Sequence, residues 1–345
     1  MTTIRIANQH DQAAWDNFVH QQSNASPYHL FAWKTAIEQT YKHKGYYLIA
    51  EAEQAICGIL PLILVQPPLA SATLCSLPFC DLGGIIASDQ TVVSALMNKA
   101  ATLCKELKAG KLELRSRSMN NGSTLSEEQK VSMLLPLPDS SAELLAQFKS
   151  KLRSQINKAK KNGLTVSFEK TPQNINAFYN IFANNMKRLG SPVHSRQLFH
   201  ALNQAYGEQL LLAVVSLDNT AVGAGIVLRA GNRACIPWAS TLFEYNRLSP
   251  NMLLYWSLLE QLADSGCKHF DFGRSSYNCG TYKFKAQWGA QPQALEWQQY
   301  DSNGELSEAP QSNGKARNII EQLWQKQPLA SANFFGPMVR KYITL

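Results

Sequence analysis

The chain has 345 residues, 45% of them hydrophobic and 17% charged, and a formal charge of +8 at pH 7. This composition excludes a disordered or low-complexity protein, and the length implies two folded domains. The positive balance favours anionic partners without choosing among nucleic acid, phosphorylated cofactors and lipid headgroups.

The N-terminus, MTTIRIANQHDQAAWD, is polar from the start and offers no apolar stretch for export. The best apolar run, Ile56 to Val65, is broken by Pro61 and stops at Gln66-Pro67-Pro68, short of the ~20 residues that span a bilayer. A cytoplasmic protein with no transmembrane segment is therefore expected. Seven cysteines, at 57, 75, 80, 104, 235, 267 and 279, form no CxxC pair and fit reduced thiols. Cys267, His269 and Cys279 come nearest to a metal cluster, but a strand alternation and a turn separate them, so no metal site is expected. The chain has no Walker loop, GxGxxG, HExxH or GxSxG.

In chain order, residues 46–65 read as two strands joined by a short polar turn. An amphipathic helix, VSALMNKAATLCKELKAG, then closes on Gly110, which suits the left-handed residue past a helix end. In the strand KLELRSR that follows, Leu112 and Leu114 alternate with Glu113 and Arg115. The prolines of PLPDSS close the first domain. Ser140 and Glu143 then have capping-box spacing for a basic helix of about 141–162, ended by Gly163. Leu145, Phe148, Leu152, Ile156 and Ala159 form its buried stripe, while Lys149, Arg153, Asn157 and Lys160 share another face, either solvated or a ligand surface. Residues 209–229 repeat the hairpin with Asp218-Asn219 at the turn, NMLLYWSLLEQLADSG repeats the helix with Gly266 at its end, and CKHFDFG repeats the strand. The same order twice implies a duplicated α/β fold, with domains at 1–138 and 139–345.

The segments FDFGRSS…GTYKFKAQWG (270–289), KLRSQINKAKKNGL and LPFCDLGGI, with YHLFAWK, RLGSPV and NRLSPNMLLYWSLLEQLADSG in support, carry a family resemblance. Together they resemble the FemAB-like branch of the GNAT acyltransferase superfamily, and within it the FemAB-related proteins associated with the PEP-CTERM/exosortase system. The match runs from about Tyr28 to Trp297. It implies two tandem GNAT-like domains, each a mixed, mostly antiparallel sheet flanked by helices. FemABX enzymes move an aminoacyl group from aminoacyl-tRNA to an amine of a peptidoglycan precursor, and other GNAT proteins use acyl-CoA. The branch itself is associated with exopolysaccharide and protein-sorting loci. One departure is Arg115, which stands where FemX-type enzymes carry an aspartate.

The implied chemistry is attack of an amine on an activated ester or thioester, which needs close approach and relief of developing negative charge. Lys285 aligns with the lysine of the family's FK…G motif and is the first candidate for a catalytic cation. Lys283 and Tyr282 are substrate-binding candidates: on an extended segment Lys283 shares the side of Lys285, with Tyr282, Phe284 and Ala286 on the other, and the plain alternative is an edge strand with exposed lysines. Arg274, after a strand end and Gly273, either clamps an anionic group or pairs with Asp271, and Asp271 is either a base or that brace. Arg247 and Asn251 precede the second-domain helix, where the resemblance puts the donor's pyrophosphate, although the loop reads NRLSPN instead of a glycine-rich RxxGxG. Trp33, His29 and Asp81 are first-domain candidates for the substrate cleft, and Arg153 and Lys160 for the ligand-facing side of the basic helix. No tightly bound cofactor is expected. The resemblance implies acyl-CoA or aminoacyl-tRNA as the donor and an envelope or exopolysaccharide precursor as the acceptor. The alternatives are a non-catalytic polyanion- or RNA-binding module and a GNAT scaffold whose site has degenerated.

Overall fold

The computed structural model describes residues 2–118, 125–126, 129–301, 304–307 and 314–344. The chain divides into two compact units. Unit 1 comprises Met1–Asn121, Leu295–Gln311 and Lys341–Leu345, and unit 2 comprises Gly122–Ala294 and Ser312–Arg340.

Unit 1 opens with β1 (Thr3–Ile6), α1 (Gln12–Gln21), α2 (Phe31–Tyr41) and a short β2 (Lys44–Gly45). Leu30 has no side-chain oxygen to cap α2, and the Asp16 carboxylate of α1 takes that role by accepting the Phe31 N–H at 2.8 Å. β3 (Leu48–Ala52) and β4 (Ala55–Leu60) pair across Glu53 and Gln54, both left-handed at φ 51° and 63°, as a tight two-residue hairpin requires. Pro61 then leads the chain out of that ladder. β5 (Ile63–Val65) pairs with β2 and with β6 (Thr73–Cys75), while β7 (Ile86–Ala87) completes the separate sheet β1-β3-β4-β7. Next, α3 (Gln90–Glu106), capped by Asp89, crosses to β8 (Lys111–Arg117), which runs parallel to β6. Leu96, Ala100, Leu103 and Cys104 of α3 share a core with Leu48, Leu60, Leu74 and Leu112.

Unit 2 begins with β9 (Lys130–Pro136), α4 (Ser141–Gln147), α5 (Ser150–Lys161), β10 (Leu164–Ser167), α6 (Pro172–Arg188) and α7 (Arg196–Tyr206). β11 (Leu210–Leu217) and β12 (Thr220–Ala230) form its hairpin, with Asp218 and Asn219 at φ 46° and 66°. After β13 (Arg233–Thr241), α8 (Pro250–Asp264) crosses to β14 (His269–Ser276), again parallel to its predecessor. α9 (Gly280–Ala286), β15 (Gln291–Asp301), β16 (Leu306–Ser307), α10 (Gly314–Lys326) and α11 (Leu329–Arg340) complete the order. The strands of unit 2 lie as β10-β11-β12-β13-β14-β9, and Gln291–Ala294 of β15 extend them beside β9. Leu295–Asp301 of β15 belong to unit 1, as does β16, and pair there with β8. Phe148, Trp256 and Trp288 centre the unit 2 core under α4, α5 and α8.

The duplication expected from sequence is present in the order hairpin, crossover helix, parallel strand. Its details differ in three places. The cut at residue 138 falls inside unit 2, because β9 pairs with β14. The basic helix of 141–162 is two helices, since Phe148 and Lys149 are extended (ψ 143° and 148°), and the break buries Leu144 in place of Leu145. Gly266 is left-handed at φ 78°, but the left-handed residue after α3 is Lys108, at φ 53°. Gly110 serves another purpose: a Cβ there would lie 2.7 Å from the Ser71 Cβ.

The two glycines therefore respond differently to alanine. Gly110→Ala is expected to destabilise through a collision, and Ser71→Gly to recover most of the loss; Gly266→Ala meets nothing within 4 Å and is expected to cost about 1 kcal/mol from its backbone alone, with no neighbour able to restore it. Denaturant melts of the single and double variants check this. Burial pushes the Asp16 carboxyl up to about 6 from 3.8, opposed by the Phe31 N–H. The folded state thus holds this proton more tightly than the unfolded chain, so its contribution is fully present below pH 3.8 and is lost as pH rises through 6, by about 1–3 kcal/mol. Asp16→Asn is expected to flatten the melting temperature between pH 4 and 7.

Candidate functional site

The site builds on two strands that part. β13 and β14 pair only through Arg233–Cys235 and His269–Asp271, although β13 continues to Thr241 and β14 to Ser276. Each strand carries an irregularity where the ladder ends. In β13, Leu228 pairs with Cys235 and Ile226 with Trp238, so Ile236 and Pro237 together oppose Val227. Pro237 lacks an N–H to give a ladder and is tolerated at such a bulge. In β14 the register with β9 shifts between Asp271 and Arg274, and Gly273 turns left-handed at φ 74°. From there β14 pairs with β9 on one side, and no strand of the described residues pairs with the β13 edge that faces it.

Buried polar groups hold the β14 bulge. The Ser132 hydroxyl of β9 donates to the Asp271 carboxylate, at 2.6 and 2.7 Å from its two oxygens, and the Gly273 N–H donates to the same carboxylate at 2.7 Å. Lys285 reaches the other side of the bulge, its ammonium donating to the Gly273 carbonyl at 2.9 Å and to that of Arg274 at 2.8 Å. Lys285 is only 8% exposed. A buried ammonium must be solvated by something, and here carbonyl dipoles do it. Arg274 itself is half-buried beside this clamp.

Residues 280–286 were expected to be extended, but they form α9, with Cys279 as its N-cap. On a helix, residues two apart point to different sides. Lys283 is accordingly exposed while Lys285 is buried, and the half-buried Tyr282 rests edge-on against Tyr277, 5.1 Å between centroids. The structure thus brings together Asp271, Arg274 and Lys285, adds Ser132, and leaves Lys283 in solvent.

Arg247 is exposed on a 3-10 turn, Phe243–Leu248, and Asn251 is half-buried in the first turn of α8. α8 starts from a left-handed Ser249 (φ 62°) and Pro250, with no side chain capping it. The Asn162 amide donates to the Leu248 carbonyl at 3.1 Å, which ties the end of α5 to this turn. Arg153 and Lys160 are both exposed on α5, the latter with its ammonium 5.9 Å from the Trp256 ring.

A further feature escaped the sequence reading. An open pocket of 370 Å³ lies where β13 ends, lined by Asn184, Asn185, Lys187 and Arg188 of α6, by Thr241–Glu244 and by Gln325. The Arg188 guanidinium donates to Asn185 at 2.9 Å and lies over the Phe243 ring, 5.4 Å from its centroid. The available signal was the run NNMKR, which closes an amphipathic helix with adjacent polar residues on more than one face.

The first-domain candidates lie in unit 1 with structural partners. Trp33 is fully buried and donates to the Pro78 carbonyl. His29 is buried with both ring nitrogens engaged: Nδ1 accepts from the Ser26 N–H at 3.1 Å, and Nε2 donates to the Gly84 carbonyl at 3.0 Å. Asp81 is half-buried in the LPFCDLGG loop, and its backbone carbonyl accepts from Trp297. Arg115 organises that loop, donating to the carbonyls of Leu77, Cys80 and Thr344 and to Glu113. Burial raises the Glu113 carboxyl, but Lys111 and Arg115 outweigh it and hold the pKa below the ordinary value. Leu77 and Phe79 both sit at positive φ, 68° and 70°, so this loop is strained and pinned.

Comparison with known proteins accords with this architecture. Residues 146–286 match the acetyltransferase (GNAT) domain family. No curated protein sequence matches the chain. Among solved structures, FemX aligns over 93% of this chain and 100% of its own, at 14% identity and a TM-score of 0.69. A tandem GNAT protein from the clavulanic acid biosynthesis pathway covers 90% and 99% at 10% identity (TM-score 0.54). L-PGS from Bacillus licheniformis covers 94% and 99% at 9% identity (TM-score 0.56). At such identities the likeness establishes the fold: the chain is a mixed α/β protein built as tandem GNAT proteins are, and residues 146–286 within it match the GNAT domain family.

Proposed function

We propose that the protein is a cytoplasmic N-acyl- or aminoacyltransferase, moving an acyl group from acyl-CoA or aminoacyl-tRNA to an amine of a cell-envelope or exopolysaccharide precursor. The observation that carries the reading is the parting of β13 and β14 at Cys235 and Asp271, with a bulge in each strand. Backbone groups of the β13 edge beyond Cys235 are suited to receive an amide-bearing donor arm as a sheet receives an added strand. The acyl carbonyl then lies near the clamped bulge. Attack forms the N–C bond and breaks the C–S bond of a thioester or the C–O bond of an ester, and the amine's proton ends on the leaving sulfur or oxygen or on water.

Lys285 acts in this scheme as a positioning residue. It fixes the Gly273–Arg274 peptide, presents Arg274 to an anionic group, and adds positive charge beside a developing oxyanion. Asp271 braces the same bulge, since its carboxylate is already occupied by Ser132 and Gly273. Arg247, Asn251 and the uncapped start of α8 suit the donor's phosphates, because a helix N-terminus favours anions. Asn184 and Asn185 suit a polar acceptor held at the end of β13.

A polyanion-binding reading is favoured by one observation: α5 carries Lys151, Arg153, Lys158, Lys160 and Lys161, all exposed, and no acidic residue. Native mass spectrometry of the purified protein for bound CoA species, tRNA or nucleotide-sugar, followed by amine-dependent release of CoA or tRNA, separates the two. Nucleic-acid binding with no turnover of any donor would leave the binding module standing.

Lys285→Ala is expected to lower kcat by about 10²–10³ with a smaller change in donor binding, while Lys283→Ala has little effect. Near-normal turnover by folded Lys285→Ala protein would remove its role. With aminoacyl-tRNA as donor, Arg153→Ala and Lys160→Ala together are expected to reduce the log–log salt slope of binding by about 1–2; an unchanged slope would return α5 to a solvated face.

A further inference from the structure

α10 and α11 bear apolar surface that the acyl-transfer reading does not use. At about 100° per residue, Ile319 and Leu323 lie opposite Glu321 and Gln325 on α10. The latter two face the end of α6: the Glu321 backbone abuts Gly190, and Gln325 donates to the Arg188 carbonyl. On α11 the inward residues are Ala332 and Gly336, the second packed against Val193. Phe334 and Met338 lie roughly opposite them. The outward residues are large and wet: Ile319 is 59% exposed, Leu323 65%, Phe334 62% and Met338 51%. Soluble surfaces scatter single apolar residues, but apolar faces on two successive helices call for something to cover them.

Charge identifies the cover. From Gly314 to Arg340 the chain has four cations, Lys315, Arg317, Lys326 and Arg340, against one acid, Glu321. We propose that these helices dock the protein on an anionic bilayer surface, Ile319, Leu323, Phe334 and Met338 entering the boundary between headgroups and acyl chains. No helix among the described residues is long and apolar enough to cross a membrane, and an amphipathic cationic helix lies in the interface plane. A second copy of the chain is the poorer cover, because it would set the same excess of cations against itself.

Vesicle co-sedimentation of the full chain tests the proposal. Binding is expected to phosphatidylglycerol-containing vesicles and not to pure phosphatidylcholine, weakening as salt rises. Leu323→Glu with Phe334→Glu is expected to lower the partition coefficient at least about tenfold. Both residues are exposed, so the variant's circular dichroism and melting curve should match the wild type; should the pair fail to fold, Phe334→Ser alone gives the same readout. The proposal is overturned by failure to bind anionic vesicles, by unchanged binding of the folded variant, or by a stable dimer that the double substitution dissociates.

Discussion

The shape of the β14 bulge in unit 2 depends on one buried cation satisfied by backbone carbonyls. The Lys285 ammonium holds the carbonyls of Gly273 and Arg274 while Asp271 holds the Gly273 N–H, so the same two-residue bulge is gripped at its donor and at its acceptors. A bulge left alone would cost unpaired peptide groups. Gripped in this way, it becomes a fixed point at which β14 parts from β13 while it stays paired with β9 on its other side. Truncating the lysine would strand two half-buried carbonyls as well as delete a charge, so on the proposed reading its effect on the geometry and its effect on the reacting centre are the same effect seen at different distances.

Unit 1 solves a related problem with a different residue. There the strand after the crossover helix supplies Arg115, whose guanidinium gathers the carbonyls of Leu77, Cys80 and Thr344 and pairs with Glu113. Arginine's five fixed donors suit several acceptors spread around a loop, whereas a lysine's compact ammonium suits two carbonyls of adjacent residues. The contrast explains what the sequence reading of Arg115 missed. In the sequence Arg115 stands out only as a departure from a family carboxylate, whereas its burial and its partners make it the strut of the strained LPFCDLGG loop.

Much of the fold was legible because it rests on local chemistry. The turns at Glu53-Gln54 and Asp218-Asn219, the helix ends at Gly163 and Gly266, and the two crossovers follow from turn residues, glycines and apolar period, all readable within a dozen residues. What failed was decided at longer range. Lys283 and Lys285 alternate with aromatics as a strand would, yet the aromatics Phe284 and Trp288 pack beneath Tyr255, and tertiary packing selects a helix that puts Lys285 inside. Likewise, nothing local marks Ser132 as the partner of Asp271, 139 residues away. The pocket at the end of β13 was missed for the same reason, since Asn185 and Gln325 meet only once α10 has returned to α6.

The two copies differ in where each one stores its strain. In unit 1 the positive φ values of Leu77 and Phe79 are locked by a buried arginine and by main-chain bonds from the C-terminal segment, including Phe79 N–H to the Thr344 carbonyl at 2.6 Å. A loop tied down at that many points has little freedom to adapt to a ligand. In unit 2 the strain sits in strands: the ladder between β13 and β14 ends after three residue pairs, and Pro237 cannot rebuild it. A proline in β13 and a glycine in β14, each two residues beyond the last pair of a parallel ladder, favour an opening over a continuous sheet. On the proposed reading it is the opening, more than the number of cations around it, that suits unit 2 to chemistry, with Lys285 at the β14 bulge and Arg247 on the turn that leads into α8.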